Sequence, residues 1–246
     1  MQDDSLWRGL RPEARKKLDI RNYSAPEVEL RIATEGLEAG AAVANERVLK
    51  ESGAWIPGVE LIFRHVHPQR HRGLFSELGR EGQGRLGEIG LWPKQWAAAK
   101  MFAGSSKGFH IHPPHIPEGT TAAEWFAKLF LGEEPDYALR RYDLEQWDVM
   151  YFLQGRLDLT LCDERDSMPR RVMRLFIDGD DRKGSNNIAV VIPPGVSHAL
   201  RAEGSEDLLM VYGTSTTFEP AAEGRIASKI EELPYPPDWA AYIRES

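Results

Sequence analysis

Short β-rich runs separated by turn residues fill the chain from residue 54 onward. The first of them reads "AWIPGVELIFRHVH", and clusters of Gly, Pro and Asp separate the runs that follow. This spacing is typical of a sandwich or barrel, in which strands are short and turns recur. The sequence therefore predicts a mainly β domain over residues 55–222.

The residues before this domain have a helical character. Ser24 and Glu27 stand in the spacing of a capping box, and helix-forming residues continue to Ser52. We therefore expect an N-terminal helical arm over residues 1–54. At the other end, the proline-broken segment 223–246 is predicted to be a C-terminal tail.

A second helical pattern interrupts the β-rich part. Thr121 and Glu124 again have capping-box spacing, apolar residues follow at helical intervals, and Gly132 provides a stop. Because β-rich runs lie on both sides, the segment is predicted to be a helical insertion over about residues 119–142.

Composition excludes several classes of partner. The formal net charge is −7 and the basic residues are scattered, which argues against a nucleic-acid partner. No apolar run approaches the roughly 20 residues of a membrane span, and the N-terminal residues lack the apolar core of a signal peptide. The single cysteine, Cys162, excludes an internal disulfide and fits a reducing compartment. We therefore expect a cytoplasmic protein without a membrane partner.

Histidines are concentrated in the stretch "KGFHIHPPH" at residues 107–115. On a strand His110 and His112 project to the same face, because side chains alternate, so their imidazoles converge. His65 and His67 have the same spacing. No carboxylate or further histidine is placed to complete that second pair, so we interpret it as a strand end.

Two later segments supply a carboxylate and a third histidine. "WDVMYFLQGRLDLTL" reads as strand, turn and strand, with Asp148 seven residues before Gly155, and "IPPGVSH" ends in His198. Together with the His110 and His112 pair, these segments resemble the two motifs of the cupin superfamily. The resemblance implies a cupin double-stranded β-helix, or jelly roll, of two antiparallel sheets with the site inside the barrel mouth.

The matching residues form a plausible ligand set for a metal. Three imidazoles and one carboxylate, from His110, His112, Asp148 and His198, suit a divalent ion such as Fe, Mn, Ni, Zn or Co. The spare His115 is interpreted as a group at the rim, and Glu118 is a weaker rival to Asp148 as ligand. A divalent metal ion is therefore the expected cofactor.

The stretch from about Trp55 to Ile226 further resembles the dTDP-4-dehydrorhamnose 3,5-epimerase family. The segments that carry this resemblance fall in the order of the family: "IPGVELI", "RGLFSE", "KGFHIH", "IPPGVSHAL", "VYGTSTTFEP" and "EGRI". It implies a small-molecule substrate of the nucleotide-sugar type. Because related cupins commonly dimerise, it also implies a homodimer.

The resemblance assigns roles to individual residues. It implies that His110 and His198 are catalytic, with His110 at the position of the family's base. It also implies four substrate-binding residues. Arg72, Phe75 and Glu77 would contact the nucleotide, and Lys107 would supply a cation near the diphosphate.

Three catalytic positions differ from the family. Asp148 stands in place of a lysine, His112 in place of a glutamine, and Phe218 in place of the tyrosine acid. The first two changes together would turn an organic proton-transfer site into a metal site. We therefore expect a metal-dependent isomerase or epimerase of sugar or nucleotide-sugar metabolism, acting beside a carbonyl.

Three alternatives remain open at this point. They are a metal-dependent cupin oxygenase, a metal-free epimerase for dTDP-4-keto sugars with altered acid and base groups, and a non-catalytic sugar-binding cupin. Metal content separates the metal-dependent isomerase and oxygenase from the two metal-free forms, and oxygen consumption identifies the oxygenase.

Overall fold

The structure, a computed structural model, describes residues 6–20, 30–32, 55–131, 141–182, 187–226 and 243–244. Its strands are β1 Leu18–Ile20, β2 Leu30–Ile32, β3 Glu60–Phe63, β4 Val66–Pro68, β5 Leu74–Ser76, β6 Gln95–Met101, β7 Ser105–Ile111, β8 Asp148–Gln154, β9 Arg156–Asp163, β10 Val172–Asp178, β11 Ile188–Ile192, β12 Val196–Glu203, β13 Leu208–Thr214, β14 Gly224–Ile226 and β15 Ile243–Arg244. Its α-helices are α1 Pro12–Lys16, α2 Gly84–Ile89 and α3 Ala122–Leu131. None of the helices in the described ranges is long and apolar enough to cross a membrane.

Two antiparallel sheets form the body of the molecule. The first has the strand order β1-β14-β7-β12-β9-β10, with β2 pairing β7 on one side and β15 on the other. The second has the order β3-β11-β8-β13-β6, and β4 and β5 form a separate hairpin. The predicted mainly β jelly roll is confirmed, because neighbours in the sheets come from distant parts of the chain in antiparallel pairs.

The main core lies between the two sheets. Alternate residues of β9, namely Leu157, Leu159 and Leu161, are buried there, and Met150 and Phe152 of β8 meet them from the opposite sheet. Burying each such side chain stabilises the fold by about 1.5–3 kcal/mol, and the same alternation sends the remaining residues to the outer faces.

The outer face of the first sheet is covered by the N-terminal segment. Trp7 and Leu10 are buried there against Phe109 and Ile111 of β7. The predicted capping box at Ser24 and Glu27 and most of the predicted arm helix lie outside the described residues.

One described segment departs from the predicted arm helix. Leu30–Ile32 is a strand rather than a helix, because its backbone pairs with both β7 and β15. The segment 223–246, predicted to be a tail, also contributes β14, which pairs with β1 and β7.

The helical insertion is present as α3. Glu124 accepts hydrogen bonds from the backbone N–H and the hydroxyl of Thr121, and the Thr121 hydroxyl accepts one from the N–H of Glu124. This is the capping box that the sequence predicts, and it satisfies N–H groups that the first helical turn leaves open. Phe126 of α3 is fully buried, and the guanidinium carbon of Arg165 lies 4.4 Å from the centroid of its ring.

Candidate functional site

Strand alternation brings the predicted histidines to one face. His110 of β7 and His112, which directly follows β7, point into the barrel, whereas Ile111 between them packs in the outer cluster. His198 of β12 lies opposite His110 in the antiparallel register, and the two rings stack with centroids 5.9 Å apart. The convergence expected from sequence spacing is therefore observed.

An irregularity in β7 adds Lys107 to the same face. The pairing of β7 with β12 shifts register between His198 and Leu200, so that Leu200 stands opposite Lys107. Lys107 and His110 are three positions apart, and a regular strand would place them on opposite faces. Because of the shift, both line the cavity.

The turn before β12 fixes His198 and joins the two sequence motifs. Gly195 has φ of +75°, and its N–H donates to the carbonyl oxygen of His112 at 2.8 Å. A Cβ atom at this position would lie 2.5 Å from Cγ of Arg165. Glycine is therefore required here both for backbone conformation and for space.

The converging side chains line a cavity of about 200 Å³ inside the barrel. All four predicted metal ligands and Lys107 are among its lining residues. The full set is Gln95, Ala99, Lys107, His110, His112, Gln146, Asp148, Met150, His198, Leu200, Met210, Tyr212, Thr214, Phe218 and Glu223.

His112 and Asp148 form the closest charged contact in this cavity. Nδ1 of His112 donates to the carbonyl oxygen of Ala222 at 3.2 Å, and Nε2 lies 3.2 Å from Oδ2 of Asp148. A bare lone pair on Nε2 would repel the lone pairs of the carboxylate oxygen. The Gln146 amide nitrogen lies 3.0 Å from Nε2 and can donate to that lone pair, and a proton or a metal ion between Nε2 and Oδ2 would also make the contact favourable.

The two neighbouring histidines have opposite protonation preferences. Burial lowers the pKa of His112, but the Asp148 carboxylate and then the Glu223 carboxylate outweigh it and raise that pKa to about 9. Burial lowers the pKa of His198 to about 4, and the positive charge of His112 adds to this effect. Burial opposes the charge of Asp148, yet the contact with His112 keeps its pKa below the usual value.

Two distances between the predicted ligand atoms match the spacing of ligands around one divalent ion. Metal–ligand bonds of about 2.1 Å place two ligands of one ion about 3.0–4.2 Å apart. Oδ2 of Asp148 lies 3.2 Å from Nε2 of His112 and 3.9 Å from Nε2 of His198, which falls within that range. Among the described residues no three His, Cys, Asp or Glu side chains already surround one point. The donor chemistry fits, and the ion itself stays a prediction.

Gln146 belongs to the site and was not predicted from the sequence. Its side-chain N–H donates to Oδ1 of Asp148 at 3.2 Å, and the same nitrogen lies 3.0 Å from Nε2 of His112. The sequence held one signal for it, because Gln146 lies two residues before Asp148 and strand-like alternation places both on one face.

Tyr212 and Glu223 are the other residues that sequence reasoning missed. Tyr212 of β13 and Phe218 line the same cavity, so the phenol that Phe218 lacks is present at another position. Glu223 contributes a carboxylate with Oε1 3.8 Å from Nδ1 of His112. Strand alternation from Met210 was the available signal for Tyr212.

The remaining predicted contacts lie away from this cavity. Phe75 and Glu77 line a separate groove beside Tyr151, on the outer side of the second sheet. Arg72 is exposed in the turn between β4 and β5. Within one chain, therefore, the predicted nucleotide contacts do not adjoin the histidines.

His115 and Glu118, the two further candidate residues near the helical insertion, also lie outside the cavity. His115 is exposed, and its backbone N–H donates to Oε1 of Glu145 at 3.3 Å. The Glu118 carboxylate is 95% exposed and lies 3.9 Å from Arg8, so Asp148 rather than Glu118 is the carboxylate beside the histidines.

Comparison with known proteins finds a sequence relative. The chain is 25% identical over 150 residues to the spore coat polysaccharide biosynthesis protein SpsL of Bacillus subtilis strain 168, covering 61% of this chain and 74% of that protein. No protein-family model matches the chain.

Solved structures with a similar fold include sugar epimerases. The rmlC epimerase of Mycobacterium tuberculosis aligns with a TM-score of 0.52 at 17% identity, covering 74% of each chain. ChmJ, a 3'-monoepimerase of Streptomyces bikiniensis, aligns with a TM-score of 0.53 at 18% identity over 75% of this chain and 77% of that one. NovW, a 4-keto-6-deoxy sugar epimerase of Streptomyces spheroides, aligns with a TM-score of 0.52 at 20% identity over 75% of each chain. These alignments confirm the cupin-type jelly roll.

Proposed function

We propose that this chain is a sugar or nucleotide-sugar epimerase or isomerase that acts at a carbon beside a carbonyl. The observation that carries the proposal is the buried His112–Asp148 contact, which favours a positive centre on the wall of the cavity. A positive centre held in a low-dielectric site stabilises the enolate that forms when such a carbon loses its proton. The similarity of the fold to sugar epimerases and the relationship to SpsL support the same chemistry.

The cavity also holds groups that can move the proton. His198 is neutral at physiological pH, because its pKa is lowered to about 4, and a neutral imidazole can accept a proton. His110 lies beside it and is the second candidate base. Tyr212 lines the same cavity, and we propose that its hydroxyl donates the proton to the other face of the planar enolate, which would invert the carbon.

The metal-dependent form of this proposal uses the predicted ligand set. A divalent ion held by His110, His112, Asp148 and His198 would polarise the substrate carbonyl as a Lewis acid. Lys107, Tyr212 and Glu223 are cavity groups outside that ligand set, and in this form we propose that Tyr212 and Glu223 carry the proton. In the metal-free form, the protonated imidazole of His112 is the positive centre.

Deuterium incorporation tests the proposed reaction directly. The protein is incubated in D₂O with a dTDP-linked 4-keto-6-deoxy sugar, and NMR follows the hydrogens on the carbons beside the carbonyl. We expect the wild type to exchange at least one of these hydrogens. No exchange by wild-type protein, with or without added Fe, Mn, Ni, Zn or Co, would contradict the proposed function for this substrate class.

Tyr212→Phe tests the proton donor. Removing a general acid lowers kcat by about 10²–10⁴-fold, because phenylalanine has no acidic hydrogen. Phe218→Tyr is the matched control, since it adds a hydroxyl to the residue that the sequence places at the acid position. Unchanged kcat in Tyr212→Phe would exclude this phenol from the reaction.

A further inference from the structure

The buried side-chain amide of Gln146 contacts the His112 and Asp148 pair of the site. Gln146 is 8% exposed and precedes β8, so it projects into the cavity beside Asp148. Its N–H donates to Oδ1 of the carboxylate, which leaves Oδ2 directed at His112 and His198. The amide therefore fixes which carboxylate oxygen faces the histidines.

The orientation of this amide is itself determined by Thr216, two residues after the end of β13. The hydroxyl of Thr216 donates to Oε1 of Gln146 at 3.3 Å, so the NH₂ end faces Asp148. A flipped amide would instead direct its oxygen at the Asp148 carboxylate, and two acceptors would repel each other.

The backbone on either side of Gln146 is held as well. Ser215 is fully buried, its hydroxyl donates to the carbonyl oxygen of Glu145 at 2.7 Å, and it accepts from the N–H of Trp147 at 2.9 Å. These bonds tie the residues flanking Gln146 to the end of β13. The amide thus belongs to a rigid support rather than to a loop that can adapt.

We propose that Gln146 is a positioning residue, which acts through Asp148 by holding Oδ2 towards His112 and His198. The inference deepens the proposed function and rests on it for its catalytic consequence. Its structural part, the fixed amide, stands on the hydrogen bonds alone.

The amide can be observed without substrate or metal. Nitrogen-15 NMR of the chelator-treated protein measures how fast side-chain NH₂ protons exchange with water, with the exposed Gln83 as internal control. A buried, hydrogen-bonded amide should exchange at least about tenfold more slowly than Gln83. Equal exchange for the two residues would overturn the inference, even if the protein proves to be an epimerase.

The consequence for the site is tested with Gln146→Leu, which removes both donors and keeps the bulk. Supporting interactions of this kind are worth about 10–100-fold in metal affinity or activity, so we expect losses of that size in kcat and in Co²⁺ affinity measured by equilibrium dialysis. KM should change less than about threefold, because the amide does not contact substrate in this account. Wild-type kcat and wild-type Co²⁺ affinity in a folded Gln146→Leu protein would overturn the inference.

Two further comparisons separate positioning from general destabilisation. Thr216→Val removes only the hydroxyl that orients the amide and should cost about threefold to tenfold in kcat, whereas the exposed Thr217→Val should cost nothing. In an Asp148→Asn background, Gln146→Leu should cost less than it does in the wild type, since Asp148, one of the two side chains that the amide contacts, is already altered. Full additivity of these two changes would overturn the proposed route through Asp148.

Discussion

At the scale of single residues, His112 and His198 respond to the same buried carboxylate in opposite ways. His112 touches Asp148 at 3.2 Å and has a second carboxylate, Glu223, on its other side. His198 is 3.9 Å from Asp148 and also faces the charge of His112. The closer contact favours the cation of His112, and burial beside that cation favours neutral His198.

These opposite shifts predict a stability maximum in metal-free protein near pH 6.5. His112 has a folded pKa of about 9, so its contribution is complete below the unfolded value of about 6.5 and is lost as pH rises through 9. His198 has a folded pKa of about 4, so its neutral form costs stability as pH falls from about 6.5 towards 4.

Urea unfolding of chelator-treated protein between pH 4 and pH 9.5 measures this effect. We expect His112→Gln to remove the loss of unfolding free energy that occurs as pH rises above 6.5. We expect His198→Gln to remove the loss that occurs as pH falls below 6.5. The account of the pair is wrong if the wild type and His112→Gln have the same pH dependence above pH 6.5.

At the scale of elements, the turn between β11 and β12 aligns the two halves of the site. Gly195 binds the carbonyl oxygen of His112 through its N–H, and three residues later His198 enters the cavity. The conformation with φ of +75° and the close approach of Arg165 leave no room for a side chain.

Gly195→Ala tests this turn, with Gly204→Ala as the matched control. Both glycines have similar positive φ, +75° and +78°, but no atom lies within 4 Å of a Cβ built on Gly204. The control should lose about 1–2 kcal/mol of unfolding free energy from backbone strain alone. Gly195→Ala should lose about 2–5 kcal/mol, because steric overlap adds to the strain. Equal losses in urea unfolding would show that the packing against Arg165 is unimportant.

The same elements explain what the sequence could and could not predict. Strand alternation predicted that His110 and His112 share a face, whereas Asp148 and His198 were added by the resemblance to the cupin motifs. Lys107 reaches the cavity only through a register shift against β12, which no local pattern in β7 reveals.

Gln146, Tyr212 and Glu223 were missed for a related reason. Each enters the site through pairing or packing with segments distant in sequence, such as the contact of Gln146 with Thr216. The predicted arm failed in its described part because Leu30–Ile32 gains more from pairing with β7 and β15 than its helix-forming neighbours indicate.

At the scale of the whole molecule, the barrel collects the site from five strands of both sheets. β6, β7, β8, β12 and β13 all contribute lining residues, and Glu223 adds a carboxylate from the segment before β14. The charged pair of His112 and Asp148 is buried between the sheets, and a lower local dielectric strengthens its field on a substrate. The predicted homodimer stays a prediction, as does a role for Phe75 and Glu77 in nucleotide binding.

The metal content of the purified protein, measured with its turnover, tests the central claim that the positive centre is a divalent ion. We predict about one ion per chain, loss of turnover on chelation, and recovery with Fe, Mn, Ni, Zn or Co. Asp148→Ala removes the only anionic member of the ligand set, so it should lose metal and turnover together while remaining folded. Full turnover in rigorously metal-free wild-type protein would contradict the claim and leave the protonated imidazole of His112 as the positive centre.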